Sequence, residues 1–178
     1  MLHEITSSNS GTQPESALHL LTGCHNRIRH FTAILRKLAH AEGSPLDEIS
    51  SAADSAYRYF TVALPLHEAD EEESVRPRLL ENATPEIRAA LDAMTHQHEA
   101  IDDLIERLMP VLVLVSNTPA KLLDAHGELC KLSTTLAELF AGHLKLEEEV
   151  LFPALASSLS VQAQSALLVE MQTRRQQG

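Results

Sequence analysis

Two stretches of the sequence place a histidine four residues before a glutamate, His67 with Glu71 and His143 with Glu147. On a helix that spacing puts both side chains on one face, with Cβ atoms about 5 to 6 Å apart, so an imidazole and a carboxylate can reach a single site. The stretches match beyond the pair: His67-x3-Glu71-Glu72-x2-Val75-Arg76-Pro77-x-Leu79 aligns with His143-x3-Glu147-Glu148-x2-Leu151-Phe152-Pro153-x-Leu155. A second matching pair, His25-x2-Ile28 and His98-x2-Ile101, makes the chain an internal repeat of two helix pairs. Four imidazoles and two carboxylates form a nitrogen and oxygen donor set without thiolate, which suits iron, manganese or zinc and exceeds what one tetrahedral zinc would use. Two ions fit better. With Glu71 and Glu147 bridging, each ion would receive two histidines and two carboxylate oxygens, an oxo or hydroxo bridge would add a fifth ligand, and one position would stay open. The candidate metal ligands are therefore His25, His67, Glu71, His98, His143 and Glu147.

The elements that must position these residues follow from hydrophobic periodicity. Strict 3-4 steps give Leu18, Leu21, His25, Ile28, Thr32, Leu35 in a first helix over about 15 to 41, so His25 occupies a position that the period assigns to the core. After the breaker Gly43-Ser44-Pro45, a second helix carries Phe60, Leu64, His67, Glu71, Val75 and Leu79, with Pro65 and Pro77 expected to kink it and tighten its end. Thr84-Pro85-Glu86 reads as an N-cap, a first-turn proline and an acidic start. The third helix that follows, Ile87, Leu91, Met94, His98, Ile101, Ile105, Leu108, is expected to bend or end at Pro110. Ser116-Asn117-Thr118-Pro119 opens a fourth helix through Leu132, Leu136, Leu139, His143, Glu147 and Val150 to the segment around Pro153, and a short tail helix is expected over about 160 to 174.

Four amphipathic helices with short connections and no convincing strand pattern predict an all-α, antiparallel up-down four-helix bundle with an internal two-helix repeat. The domain reading is a flexible tail over 1–14, the bundle over 15–157 and a C-terminal tail or short helix over 158–178. Buried side by side, six such polar groups need compensation, because each unsatisfied one costs of order 2 kcal/mol and an ion costs more. Bound cations answer that cost better than a metal-free buried network.

Composition narrows the partners. The chain has 178 residues with 14 Lys plus Arg against 25 Asp plus Glu, a formal charge of −11, which argues against nucleic acid and anionic membranes. Aromatics make up 3% with no Trp, leaving little for base stacking. Residues 1–14 have neither a basic start nor an apolar run, so no signal peptide is read there and a cytoplasmic location is the expectation. Cys24 and Cys130 lie far apart and read as small reduced core residues.

Around the site, Phe60 and Leu136 stand seven residues before His67 and His143 and should wall it apolarly; Tyr57 and Tyr59 can approach it from the second helix, but the period puts Phe60 most directly over it. Glu72 and Glu148 read as solvated groups or as partners of the ligands rather than as ligands, and Glu68 has no acidic counterpart because Leu144 holds the equivalent place. His3, His19, His30, His40, His96 and His126 read as surface residues. No histidine has Glu three residues before it, as a ferritin-like bundle needs. His67-Glu68 is not the start of HExxH, since position 71 is Glu, and neither a phosphate-cradling Gly loop nor a GxSxG elbow occurs.

The pattern H, HxxxE, H, HxxxE on four successive helices, met by His25, His67/Glu71, His98 and His143/Glu147, resembles the hemerythrin-like family, also called the HHE cation-binding domain, over about 15 to 157. The HxxxEExxLFP stretch from His143 to Pro153 is similar to the family's most recognisable motif, and the copy from His67 to Pro77 has Val75-Arg76 in place of Leu-Phe. Oxygen-carrying hemerythrins have a second histidine four residues from the helix-3 ligand and a carboxylate five after the helix-4 one; here Met94 and Asp102 flank His98, and Glu147 stands four after His143. The resemblance is thus to the symmetric bacterial di-iron type, iron-sulfur-cluster repair proteins among them. It implies two iron ions with an oxo or hydroxo bridge, ahead of manganese or zinc. It also implies a non-haem di-iron protein that binds or reduces a small oxidant or nitric oxide (O₂, H₂O₂, NO) in oxidative or nitrosative stress defence or cluster repair, served by a redox partner. The same resemblance allows an iron- or oxygen-sensing or iron-storing module without turnover, and no catalytic residue beyond the ligands is implied.

Overall fold

The structure is a computed structural model that describes residues 15–177. The tail read over 1–14 lies outside the described residues. The first helix, α1 (Ala17–Leu38), starts where the Ser16 hydroxyl accepts the His19 amide, and Arg36 and Lys37 in its last turn face the negative end of its dipole. Gly43, at φ +84°, turns the chain back, a conformation that other residues adopt at a cost. The second helix, α2, runs over 46–80 with Asp47 and Glu48 in its first turn. α3 (Pro85–Asn117) begins with the Thr84 hydroxyl accepting the Ile87 amide at 3.3 Å and Pro85 in the first turn. A short 3₁₀ turn (Pro119–Lys121) leads into α4, over 122–158, and α5 (Val161–Gln177) closes the described chain, ending three residues later than read from the sequence.

Short connections leave consecutive helices antiparallel, and α4 returns to pack on α1, so the four long helices close a bundle. α5 lies across α1 and the C-terminal third of α2. No strand occurs among the described residues, and the apolar run Val111–Val115 is helical.

The helices run through their prolines, and the reason is local. Pro65, Pro77 and Pro153 do not break their helices. Each follows a π-helical turn, Tyr59–Ala63, Asp70–Val75 and Glu147–Leu151 respectively, by two residues. A proline ring clashes with the carbonyl one turn back and lacks an N–H, and the extra residue of a π turn widens the helix where that clash would fall. Pro110 neither ends nor visibly interrupts α3, which continues to Asn117. Pro110 lies on the exposed face, where the carbonyl freed at Glu106 meets water, while Leu108, Val111, Leu112 and Val115 stay buried on the inner face.

The core is divided. One apolar cluster contains Ile28, Leu35, Phe60, Leu64, Ile101, Leu108, Leu136 and Phe140. A second contains Leu21, Val75, Leu79, Leu91, Met94, Leu151, Phe152, Leu167 and Met171. Between them lies a belt of buried polar residues: His25, His67, Asp70, Glu71, Ser74, His98, His143 and Glu147. Each fully buried Leu or Ile contributes about 2 kcal/mol, so the two clusters supply the stability that lets the bundle carry such a belt.

Candidate metal centre

Each of the four long helices contributes one histidine to the belt, and α2 and α4 each add a glutamate one turn later. Glu71 lies in the first turn of one π segment and Glu147 opens another; their carbonyls accept the amides of Arg76 and Phe152, five residues on. A π turn rotates the chain relative to a regular helix, so each glutamate faces inward beside its histidine while Val75 and Leu151 still reach the apolar cluster.

The six candidate ligands converge, none of them more than 6% exposed. His67 Nε2 lies 3.1 Å from Glu71 Oε1, His98 Nε2 3.2 Å from Glu71 Oε2, His25 Nε2 3.1 Å from Glu147 Oε2, and His143 Nε2 3.5 Å from the same Glu147 oxygen. They form two groups of four, His25, His67, Glu71, Glu147 and Glu71, His98, His143, Glu147, each with its donor atoms within 4.8 Å of one another. Both glutamates belong to both groups.

Hydrogen bonds orient three of the rings. His25 Nδ1 donates to Glu148 Oε1 at 2.8 Å, and both oxygens of Glu148 accept from Arg29 Nη2 at 2.8 Å. His98 Nδ1 donates to Glu72 Oε1 at 2.9 Å, which also accepts from Thr95 Oγ1 at 2.8 Å. His143 Nδ1 donates to Gln97 Oε1 at 3.2 Å. A proton held on Nδ1 leaves the Nε2 lone pair aimed at the belt, the form in which imidazole binds metals. Glu72 and Glu148 thus each steer a histidine from the other half of the repeat.

The remaining donor atoms fit a cation. His25 Nε2, His67 Nε2, His98 Nε2 and all four carboxylate oxygens of Glu71 and Glu147 are buried without a hydrogen-bond partner. So many lone pairs converging in an apolar setting is costly unless a positive charge sits among them. Proton affinities show the same strain. Burial, then the facing Glu147, pushes Glu71 well above the carboxylate range. Burial also opposes ionisation of Glu147, but His25 3.1 Å away and the surrounding imidazoles outweigh it and hold Glu147 at about 2. Burial disfavours the His25 cation, yet the nearby carboxylates of Glu147, Glu71 and Glu148 raise it to about 10. Burial lowers His143 to about 4 and His67 well below its ordinary value.

Other expectations resolve individually. Phe60 and Leu136 are buried in the adjoining apolar cluster, and Tyr59 stacks on Phe31 at 4.1 Å. Glu68 is half-buried and joins neither group of four, and His96 pairs with Glu99 on the surface. His19 and His30 are exposed, and His3 lies outside the described residues. Cys24 is buried as expected, but Cys130 is only partly so, because it sits at the edge of the bundle beside His40 and His126. Sequence reasoning missed Phe152, which stacks on the His25 ring at 4.9 Å, and Asp70, fully buried and bonded to Arg174 and Arg175 of α5. Asp70 stands three residues after His67, on the same helix face, and the adjacent Arg174-Arg175 pair is the signal that could have found its partners. Gln97 had no such signal.

Among the described residues no helix is long and apolar enough to cross a membrane. Comparison with curated proteins gave no significant match. The family model for the hemerythrin HHE cation binding domain matches residues 16–158, and with that span and this buried histidine and glutamate centre the chain belongs to that family.

Proposed function

We propose that this is a non-haem di-iron protein that binds or reduces a small oxidant or nitric oxide, with His25, His67, Glu71, His98, His143 and Glu147 as its ligands. The observation that carries this reading is the pair of four-donor groups sharing both glutamates, made of nitrogen and oxygen alone. Iron bound there would supply redox equivalents and open positions for O₂, H₂O₂ or NO. The protein's share is orientation and exclusion of water. Glu148, Glu72 and Gln97 hold three imidazoles with Nε2 inward. The apolar clusters on either side, with Phe152 against His25 and Phe140 near His143, keep bulk water from the donors. A surface cavity of about 200 Å³ between α1 and α4, lined by Ile28, Arg29, Thr32, Phe140 and Leu144 among others, lies one turn from His25 and His143 and is where a small ligand would approach. Electrons would come from a separate redox partner, in oxidative or nitrosative stress defence or iron-sulfur-cluster repair.

A second reading, an iron or oxygen sensor, draws on a different observation: Asp70, next to Glu71, is held by Arg174 and Arg175, so a change at the centre reaches α5 directly. Turnover separates the two. Iron-loaded protein should consume H₂O₂ or NO catalytically in the presence of reductant, with the activity lost in Glu147→Ala. Stoichiometric binding that shifts α5 without turnover would favour the sensor.

A further inference from the structure

Roughly 20 Å along the helices from the centre just described, at the end of the bundle where α1 turns into α2, three more metal-binding side chains meet. His40, His126 and Cys130 each offer a ligand atom, all within 4.8 Å of one another. We propose that they form a second cation site, for a borderline divalent ion of the Zn²⁺ class, that pins the turn after α1 to α4.

The geometry is close to what such an ion needs. Tetrahedral zinc with Zn–S about 2.3 Å and Zn–N about 2.05 Å separates sulfur from nitrogen by ~3.6 Å. Cys130 Sγ lies 3.7 Å from His126 Nε2 and 3.9 Å from His40 Nε2. His126 and Cys130 are four residues apart on α4, so the helix itself holds them on one face, while the turn brings His40 to them.

The tautomer is also set. His126 Nδ1 lies 2.7 Å from the Ala39 carbonyl and 2.8 Å from Glu42 Oε1, two acceptors that keep the proton on Nδ1 and leave the lone pair on Nε2; Cys130 Sγ lies beside the ring, 3.8 Å from Nδ1 and 3.7 Å from Nε2. A carboxylate behind a ligating histidine is the arrangement that strengthens zinc sites. The site opens on a surface cavity of about 650 Å³, bordered by Arg36, Lys37 and Ser44, so a fourth position is left for water or a small anion. One thiolate with two imidazoles prefers zinc over the harder ions suited to the central donor set of imidazoles and carboxylates, which lets the two sites load different metals. On binding, the Cys130 thiol proton passes to solvent and the sulfur bonds the ion, with no change of oxidation state.

Iron-loaded protein titrated with Co²⁺ as a spectroscopic substitute should gain a near-ultraviolet thiolate-to-cobalt charge-transfer band at one equivalent. Cys130→Ser should abolish the band with iron content unchanged, and Cys24→Ser should keep it. As a check that needs no variant, Zn²⁺ at about ten times its dissociation constant should slow iodoacetamide alkylation of Cys130 about tenfold. Absence of the band, its persistence in Cys130→Ser, or alkylation of Cys130 at the same rate with and without Zn²⁺ would overturn the proposal.

Discussion

The two repeats present matching ligands to the centre but are tied to the rest of the molecule in different ways. In the first, the residue before Glu71 is Asp70, fully buried and bonded to Arg174 and Arg175, and Ser74 and Arg78 continue the contact to Glu170 of α5. In the second, the residue before Glu147 is Leu146, packed against apolar neighbours, and Ser74 is matched by Val150. The ring orientations differ as well: Gln97 accepts from His143, whereas the register-equivalent Cys24 accepts nothing from His67, whose Nδ1 has no partner. The lesson is that the face toward the centre keeps matching histidine and glutamate donors in both halves, while the outer face is free to diverge. Here it has diverged to couple one half to α5.

The sharing of Glu71 and Glu147 by both groups makes the largest prediction. Glu71→Ala or Glu147→Ala should reduce bound metal from about two per chain toward none, because each removes a donor from both groups. His25→Ala or His143→Ala touches one group and should leave about one ion; metal analysis of dialysed protein distinguishes the cases, and equal loss in all four variants would break the comparison.

The α5 anchor comes next. Replacing Arg174 and Arg175 by Ala leaves Asp70 buried without a counter-charge and should cost about 3 kcal/mol, lowering Tm by roughly 6–12 °C. Leu146→Ala in the other half, a half-buried apolar site, should cost clearly less on the same thermal scan.

Proton affinity gives a third contrast. His25 is raised to about 10, so its contribution to the stability of chelator-treated protein is complete below about pH 6.5 and is lost as pH climbs toward 10. His143, lowered to about 4, and His67 act in the opposite sense: the unfolded chain takes up protons there that the fold excludes, so stability falls as pH drops from 6.5 toward 4. Glu71, raised, offsets only one of those two histidines. Tm of chelator-treated protein should therefore peak near pH 6.5. Metal displaces the His25 and Glu71 protons, so the loaded protein should keep its stability above pH 7, and parallel Tm curves for the two forms would contradict this.

The smallest effects concern the ring partners. Glu148→Gln, Glu72→Gln and Gln97→Ala should each weaken metal affinity by about 10- to 100-fold in a competitive chelator titration. Cys24→Ala, at the place matching Gln97, should leave it nearly unchanged, since no bond to a centre histidine is lost.

Much of this was legible in the sequence because periodicity exposes residues that contradict it. His25 and His98 interrupt apolar seams, and the HxxxE pairs do so twice, so the helices and the inward histidines could be read together. The π turns before Pro77 and Pro153 could not be read, since a proline signals the loss of a hydrogen bond but not the wider turn that absorbs it. The Glu148-to-His25 and Glu72-to-His98 bonds cross between repeats and depend on tertiary placement. Asp70 was hidden because its partners lie about a hundred residues away in a helix whose own pattern is weak.

The most direct test is iron X-ray absorption on protein reconstituted anaerobically with Fe²⁺ and analysed for metal content. The account predicts about two irons per chain, each with nitrogen and oxygen neighbours only, and a short iron–iron vector that disappears in Glu71→Ala. A single iron per chain, or two without iron–iron scattering, would contradict a centre built on two shared glutamates.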